Sequence, residues 1–233
     1  MVSPNFIGGK RCVDIVFCVD GTGSMSPCIE SVKNNARRFY ADFTKAMTDN
    51  GSDIDMMRIK MIVFRDYKSD GELSMVQSPF FELPQEEAEL SAYLNGVRAT
   101  GGCAEDANGL EALYLAMNSD FVTGSKDRQV IVLFADTSAI PLGKRKGYSG
   151  YPVKMVDNDG LLETWMCLQS HSSKLREKNK RLVMFAPRGS NYEKMKQSYN
   201  RSVFVPVEMH KGLDDIPFDD IIKIIAASAS SAS

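Results

Sequence analysis

The feature that most constrains this chain is Gln129–Ala135 (QVIVLFA), apolar and β-branched almost from end to end. A run this short and this apolar reads as a strand buried on both faces, hence central in its sheet. Cys12–Val19 (CVDIVFCV) and Met57–Phe64 (MRIKMIVF) repeat the signal. Between the last two the period changes. Ile29, Val32, Ala36, Phe39, Tyr40, Phe43 and Met47 recur at steps of three and four, which predicts an amphipathic helix from Pro27 to about Asp49, with Ser26 as its cap.

The alternation continues to the end of the chain. Leu73–Leu83 reads as a strand paired with Met57–Phe64 across a Lys68–Gly71 turn, and Pro84 opens a helix whose Glu86, Glu87 and Glu89 suit the positive end of its dipole. Helices are expected at Glu105–Asn118, from about Asn158 to Lys178, at Asn191–Tyr199 and from about Leu213 to Ala227; strands are expected at Arg181–Ala186 and Val203–Val207. The fold class this implies is α/β: a doubly wound, mostly parallel sheet with one antiparallel edge strand and helices on both faces. Residues 1–227 are expected to form a single domain and 228–233 (SASSAS) a flexible tail. Thr137–Asp157 carries no clear element, which is long for a loop in a compact domain.

Charge narrows the function. With 28 basic and 30 acidic residues the net charge is −2, which argues against the concentrated positive field that nucleic acid or an anionic membrane requires. No apolar run reaches membrane-spanning length, and MVSPNFIGGKRC lacks the apolar stretch of a secretory leader. Five cysteines without framework spacing suggest thiols in a reducing, cytoplasmic compartment.

In open α/β sheets ligands bind beyond the carboxyl ends of the strands. The residues there are Asp20-Gly21-Thr22-Gly23-Ser24-Met25 after the first strand and Asp136-Thr137-Ser138 after the strongest one; Ala99–Asp106 (ATGGCAED) precedes a helix. Alternate residues of a glycine-relieved loop point Asp20, Thr22 and Ser24 towards one place. Carboxylates and hydroxyls without imidazole or a required thiolate form a hard oxygen set suited to Mg2+ or Mn2+.

VDIVFCVDGTGSM resembles the first motif of von Willebrand factor A domains, also called integrin I domains. The resemblance extends through the strand ending in FRDY, through TGG before a helix, and through VIVLFAD. It implies a Rossmann-like sheet and a metal-ion-dependent adhesion site. In that site Asp20, Thr22 and Ser24 match the first motif, Thr100 the second loop and Asp136 the third. It further implies a binding module, not an enzyme, with no small-molecule substrate: a partner protein's Asp or Glu completes the coordination of Mg2+. The VFRDY segment is more similar to intracellular, stand-alone bacterial members, some of which serve stress or conflict systems.

Other readings compete. DGT after a buried strand is similar to the signature of haloacid-dehalogenase phosphatases, but the position of their nucleophilic Asp falls on Cys18. A scaffold domain with a vestigial metal site is a further alternative, and Asp20 as a mere helix cap is the blandest. Asp66 either approaches the metal edge or serves a turn network with Arg65 and Tyr67. Cys103, ahead of a helix, is a reactive thiol or a small loop filler. Lys144-Arg145-Lys146 with Tyr148 and Tyr151 is a solvated loop or, rising from the metal rim, a partner surface or lid.

Overall fold

A computed structural model describes residues 11–101, 106–168, 174–211, 213 and 216–231. Seven strands form one sheet: β1 (Cys12–Asp20), β2 (Met56–Phe64), β3 (Met75–Gln77), β4 (Phe81–Leu83), β5 (Arg128–Phe134), β6 (Lys180–Pro187) and β7 (Ser202–Val207). Their order is β3-β2-β1-β5-β6-β7, with β4 also on β2. The pairs among β2, β1, β5, β6 and β7 are parallel, while β3 and β4 run antiparallel to β2. The α/β class, the doubly wound sheet and the central place of β5 are as the apolar runs require.

Among the described residues seven α-helices cover it: α1 (Ser26–Asp49), α2 (Tyr67–Asp70), α3 (Glu87–Gly96), α4 (Gly109–Met117), α5 (Asn158–Trp165), α6 (Asn191–Ser198) and α7 (Phe218–Ser230). Alternate β1 residues take opposite faces. Val13, Ile15, Phe17 and Val19 pack with Phe39 and Phe43 of α1, Leu90 and Leu94 of α3, and Ile221 and Ile225 of α7. Val16 and Cys18 pack with Leu113 of α4, Leu161 and Trp165 of α5, and Tyr192 of α6. β1 is buried along its whole length because both faces are covered.

Five expectations need correction. The expected edge strand is two short ones, because Ser78 and Pro79 interrupt it: Ser78 Oγ accepts from the Met61 amide at 2.9 Å in place of a backbone carbonyl. The Lys68–Gly71 turn is the helix α2 followed by a 3-10 turn (Gly71–Ser74), initiated by the Asp66 carboxylate accepting from the Lys68 amide at 3.0 Å. Helix α5 ends at Trp165, far short of Lys178. Cys167 adopts φ +56° there, and the Leu168 amide reaches back to the Glu163 carbonyl at 3.0 Å. This is the closure usually built on glycine, so the sequence carried no stop signal.

The fourth correction concerns the expected tail. Helix α7 runs to Ser230, and Ser228 and Ala229 are buried. Arg181, on β6 and 2% exposed, donates to the Ser228 carbonyl (3.0 Å), the Ser231 carbonyl (2.7 Å) and the Ser231 hydroxyl (3.0 Å). A buried cation there meets the negative end of the helix. Ser26, expected as a cap, is instead the first residue of α1, behind a 3-10 turn at Gly23–Met25.

Candidate metal centre

Strand order reverses between β1 and β5, so the crevice at that point is bordered by the loops that follow these two strands. Asp20 is the last residue of β1, and Asp136 follows β5 by two residues; both are fully buried. Above them Thr22 is buried and Ser24 half-buried, their hydroxyls 3.4 Å apart. Asp20 and Asp136 thus form a buried floor, and Ser24 is more exposed than either.

The Asp20 Oδ1 accepts from the Thr22 amide at 2.9 Å. Asp20 Oδ2 and both Asp136 oxygens are buried and have no protein hydrogen-bond partner. Burial pushes the Asp20 carboxyl up to about 7, and the charge of Asp136 adds to the rise against the contacts of Thr22 and the charge of Arg65. Two buried carboxylates that repel one another, with three bare oxygens between them, call for positive charge. Among the described residues no three His, Cys, Asp or Glu side chains converge. The donor set would be two carboxylates completed by hydroxyls, a fit for a hard cation that retains waters.

The second loop lies against the first. The Thr100 amide donates to the Gly21 carbonyl at 3.0 Å, while the Thr100 residue itself is exposed. A Cβ on Gly21 would stand 2.6 Å from Val63 Cγ1 and 2.8 Å from Arg65 Cζ, so only glycine permits this approach. Asp20, Thr22 and Ser24 thus converge, Asp136 joins them electrostatically, and Thr100 enters through its backbone. The loop after β7 also reaches this rim, where the His210 amide donates to the Asp136 carbonyl at 2.9 Å.

Arg65 was not singled out as an organiser, yet it holds these loops together. Its buried guanidinium donates to the carbonyls of Gly21 (3.0 Å), Thr100 (2.9 Å), Leu73 (2.8 Å) and Arg98 (2.6 Å). Backbone acceptors carry no sequence signature, so nothing in the motif disclosed this role. Asp66 forms no side-chain bond with Arg65 or Tyr67 among the described residues, so the expected three-residue turn network is replaced by a contact with a distant segment. Its carboxylate caps α2 and forms a bidentate pair with Arg145, at 2.5 and 2.9 Å. Burial alone would raise the Asp66 carboxyl, but Arg145 and the Lys68 amide outweigh it and hold it below the ordinary range.

The 137–157 segment is anchored by more than this pair. Glu111 of α4, fully buried, accepts from the Tyr151 hydroxyl at 3.1 Å and the Gly143 amide at 3.3 Å. The Tyr151 ring meets Tyr67 edge-on at 5.1 Å. Cys103 and His171 lie outside the described residues. Cys18 is buried inside β1 with its thiol towards the Ala112 carbonyl, where no substrate phosphate could meet it. Burial raises the Cys12 and Cys18 thiols, which makes them inert.

No protein-family model matches the chain, and no curated protein matches it. Among solved structures it is similar to a pilus adhesin, SpaC from Lactobacillus rhamnosus GG. That match has a TM-score of 0.52 and 13% identity, and covers 96% of this chain and 31% of the adhesin. The open conformation of the same adhesin gives a TM-score of 0.50 at 13% identity, covering 96% of this chain and 30% of that one. This chain therefore spans about a third of the adhesin's length, and the likeness is one of fold.

Proposed function

We propose that this chain is a metal-ion-dependent protein-binding module of the von Willebrand factor A type. In this reading Asp20, Thr22, Ser24 and Asp136 hold Mg2+ or Mn2+, with Thr100 contributing from the second loop. The observation that carries the reading is the pair Asp20 and Asp136. Both are buried at the sheet's switch point, with three oxygens unpartnered, beneath two hydroxyls. When bound, the cation would supply an open coordination position for an oxygen ligand, the natural donor being an Asp or Glu of a partner protein.

The chain's own groups do the rest. Arg65 fixes the two loops, Gly21 leaves room for its guanidinium, and the buried floor excludes water from the carboxylates. Among the described residues no helix is long and apolar enough to cross a membrane. The buried thiols of Cys12 and Cys18 suit a reducing compartment, so the proposed location is cytoplasmic.

Calorimetric titration with Mg2+ and Mn2+ tests the metal. Wild type is expected to bind one ion, and a folded Asp20→Ala or Asp136→Ala variant to lose at least about tenfold in affinity. Unchanged binding in both variants would overturn the reading. Equal recovery of interacting proteins from lysate with and without EDTA would leave the fold as a scaffold alone.

A further inference from the structure

Residues 141–156 carry four cations, Lys144, Arg145, Lys146 and Lys154, and no acid, in a chain whose acids outnumber its bases. Arg145 is spent on the bidentate pair with Asp66. The three lysines are exposed, and among the described residues none forms an ion pair. A loop so charged would repel itself and stay extended in solvent. Here it is instead fastened at Arg145, at Gly143 and at Tyr151, and Gly150 abuts the backbone of Gly71 and Glu72. The segment is thus held in place with its unpaired charge facing outwards.

Its position is equally specific. The segment starts five residues after Asp136, and its anchor Asp66 follows Arg65, which holds the Gly21 and Thr100 loops. Exposed apolar side chains lie among the cations, with Val153 99% exposed, Tyr148 43%, and Leu73 of the abutting turn 67%.

We propose that residues 143–154 form a second contact surface for an acidic protein segment, with Lys144, Lys146 and Lys154 as its charge-complementary groups. This rests on the metal-dependent reading and adds the partner's chemistry to it: one carboxylate goes to the cation, and neighbouring acids go to the lysines. Fixing the loop beforehand lowers the ordering cost of binding. A protein segment fits better than nucleic acid because Val153, Tyr148 and Leu73 offer apolar contacts that a phosphate backbone does not use.

The test uses a fluorescein-labelled deca-glutamate peptide, with single-stranded deca-thymidylate as the competing polyanion, in Mg2+ or EDTA at about 50 mM salt. Wild type is expected to bind the peptide in preference to the oligonucleotide. Lys144→Glu with Lys146→Glu should weaken peptide binding by about tenfold or more while leaving the Mg2+ affinity unchanged. Arg145→Ala, which frees the loop but retains the lysines, should give a smaller loss. Peptide binding that the double variant weakens but EDTA does not upholds the loop and overturns the metal reading. Binding that EDTA abolishes but the double variant leaves intact does the reverse. No peptide binding, or tighter binding of the oligonucleotide, overturns the loop surface.

Discussion

Asp20→Asn is expected to stabilise the metal-free protein. In wild type the Asp20 carboxyl is raised from its ordinary 3.8 to about 7, first by burial and then by Asp136. Each tenfold in proton affinity is about 1.4 kcal/mol, so ionising this group opposes folding by about 4 kcal/mol. Because the folded value is the higher one, this group's opposition to folding is absent below the ordinary carboxylate range. The folded protein loses stability as pH rises from about 4 to about 7.

An asparagine keeps an Oδ1 to accept from the Thr22 amide and offers a donor towards Asp136. About 3 kcal/mol of the opposition should therefore vanish at pH 8. For a domain of this size that is roughly 6–12 °C in Tm. Scanning fluorimetry in EDTA, from pH 4 to 8, should show wild type falling across this window and the variant flat. Mg2+ at a hundred times its wild-type Kd should narrow the gap, raising wild type by about 3 kcal/mol and the variant by at least about 1 kcal/mol less. An Asp20→Asn protein less stable than wild type in EDTA at pH 8 would refute the claim of uncompensated charge.

Three further outcomes follow from packing. Arg65→Met removes a donor from four carbonyls, three of them only partly buried, and should cost roughly 2–4 kcal/mol in urea denaturation; a loss below about 1 kcal/mol would show that the guanidinium is dispensable. A Cβ at Gly109 would lie 1.9 Å from the Tyr192 hydroxyl, so Gly109→Ala should destabilise by about 1–3 kcal/mol and Tyr192→Phe in the same chain should recover part of it. Non-additive chemical denaturation midpoints would report that recovery, and full additivity would contradict the clash. Ending the chain after Ala227 strips Arg181 of the Ser228 and Ser231 carbonyls and the Ser231 hydroxyl. It should cost about 3–5 kcal/mol by thermal unfolding, whereas an unaltered Tm would mean that the segment only decorates the helix.

What could be read in the sequence was set by periodicity. The apolar runs of β1, β2 and β5 and the three-four spacing of α1 gave elements within a residue or two of those observed. Where an element ended on an unusual backbone state, reading failed: Cys167 closes α5 in the left-handed region, and nothing about a cysteine announces that. Ser228–Ser230 looked like a tail because small polar residues lack a hydrophobic period. They are helical because Arg181, nearly fifty positions earlier, takes up the carbonyls at their end. In the site, Asp20, Thr22 and Ser24 were legible because one short loop holds all three. Arg65 and Glu111 were not, since each acts on groups far away in the chain.

Arg65, Asp66 and Tyr67 are successive residues, yet they reach Gly21 and Thr100, Arg145, and Tyr151 respectively. These contacts close loops of 44, 35 and 79 residues, so the rim cannot take shape from any local stretch. Its geometry depends on β1, β2 and β5 being paired. For the same reason no rim segment can be transplanted alone: without residues 143–151, Asp66 would be a buried acid with its counter-charge gone.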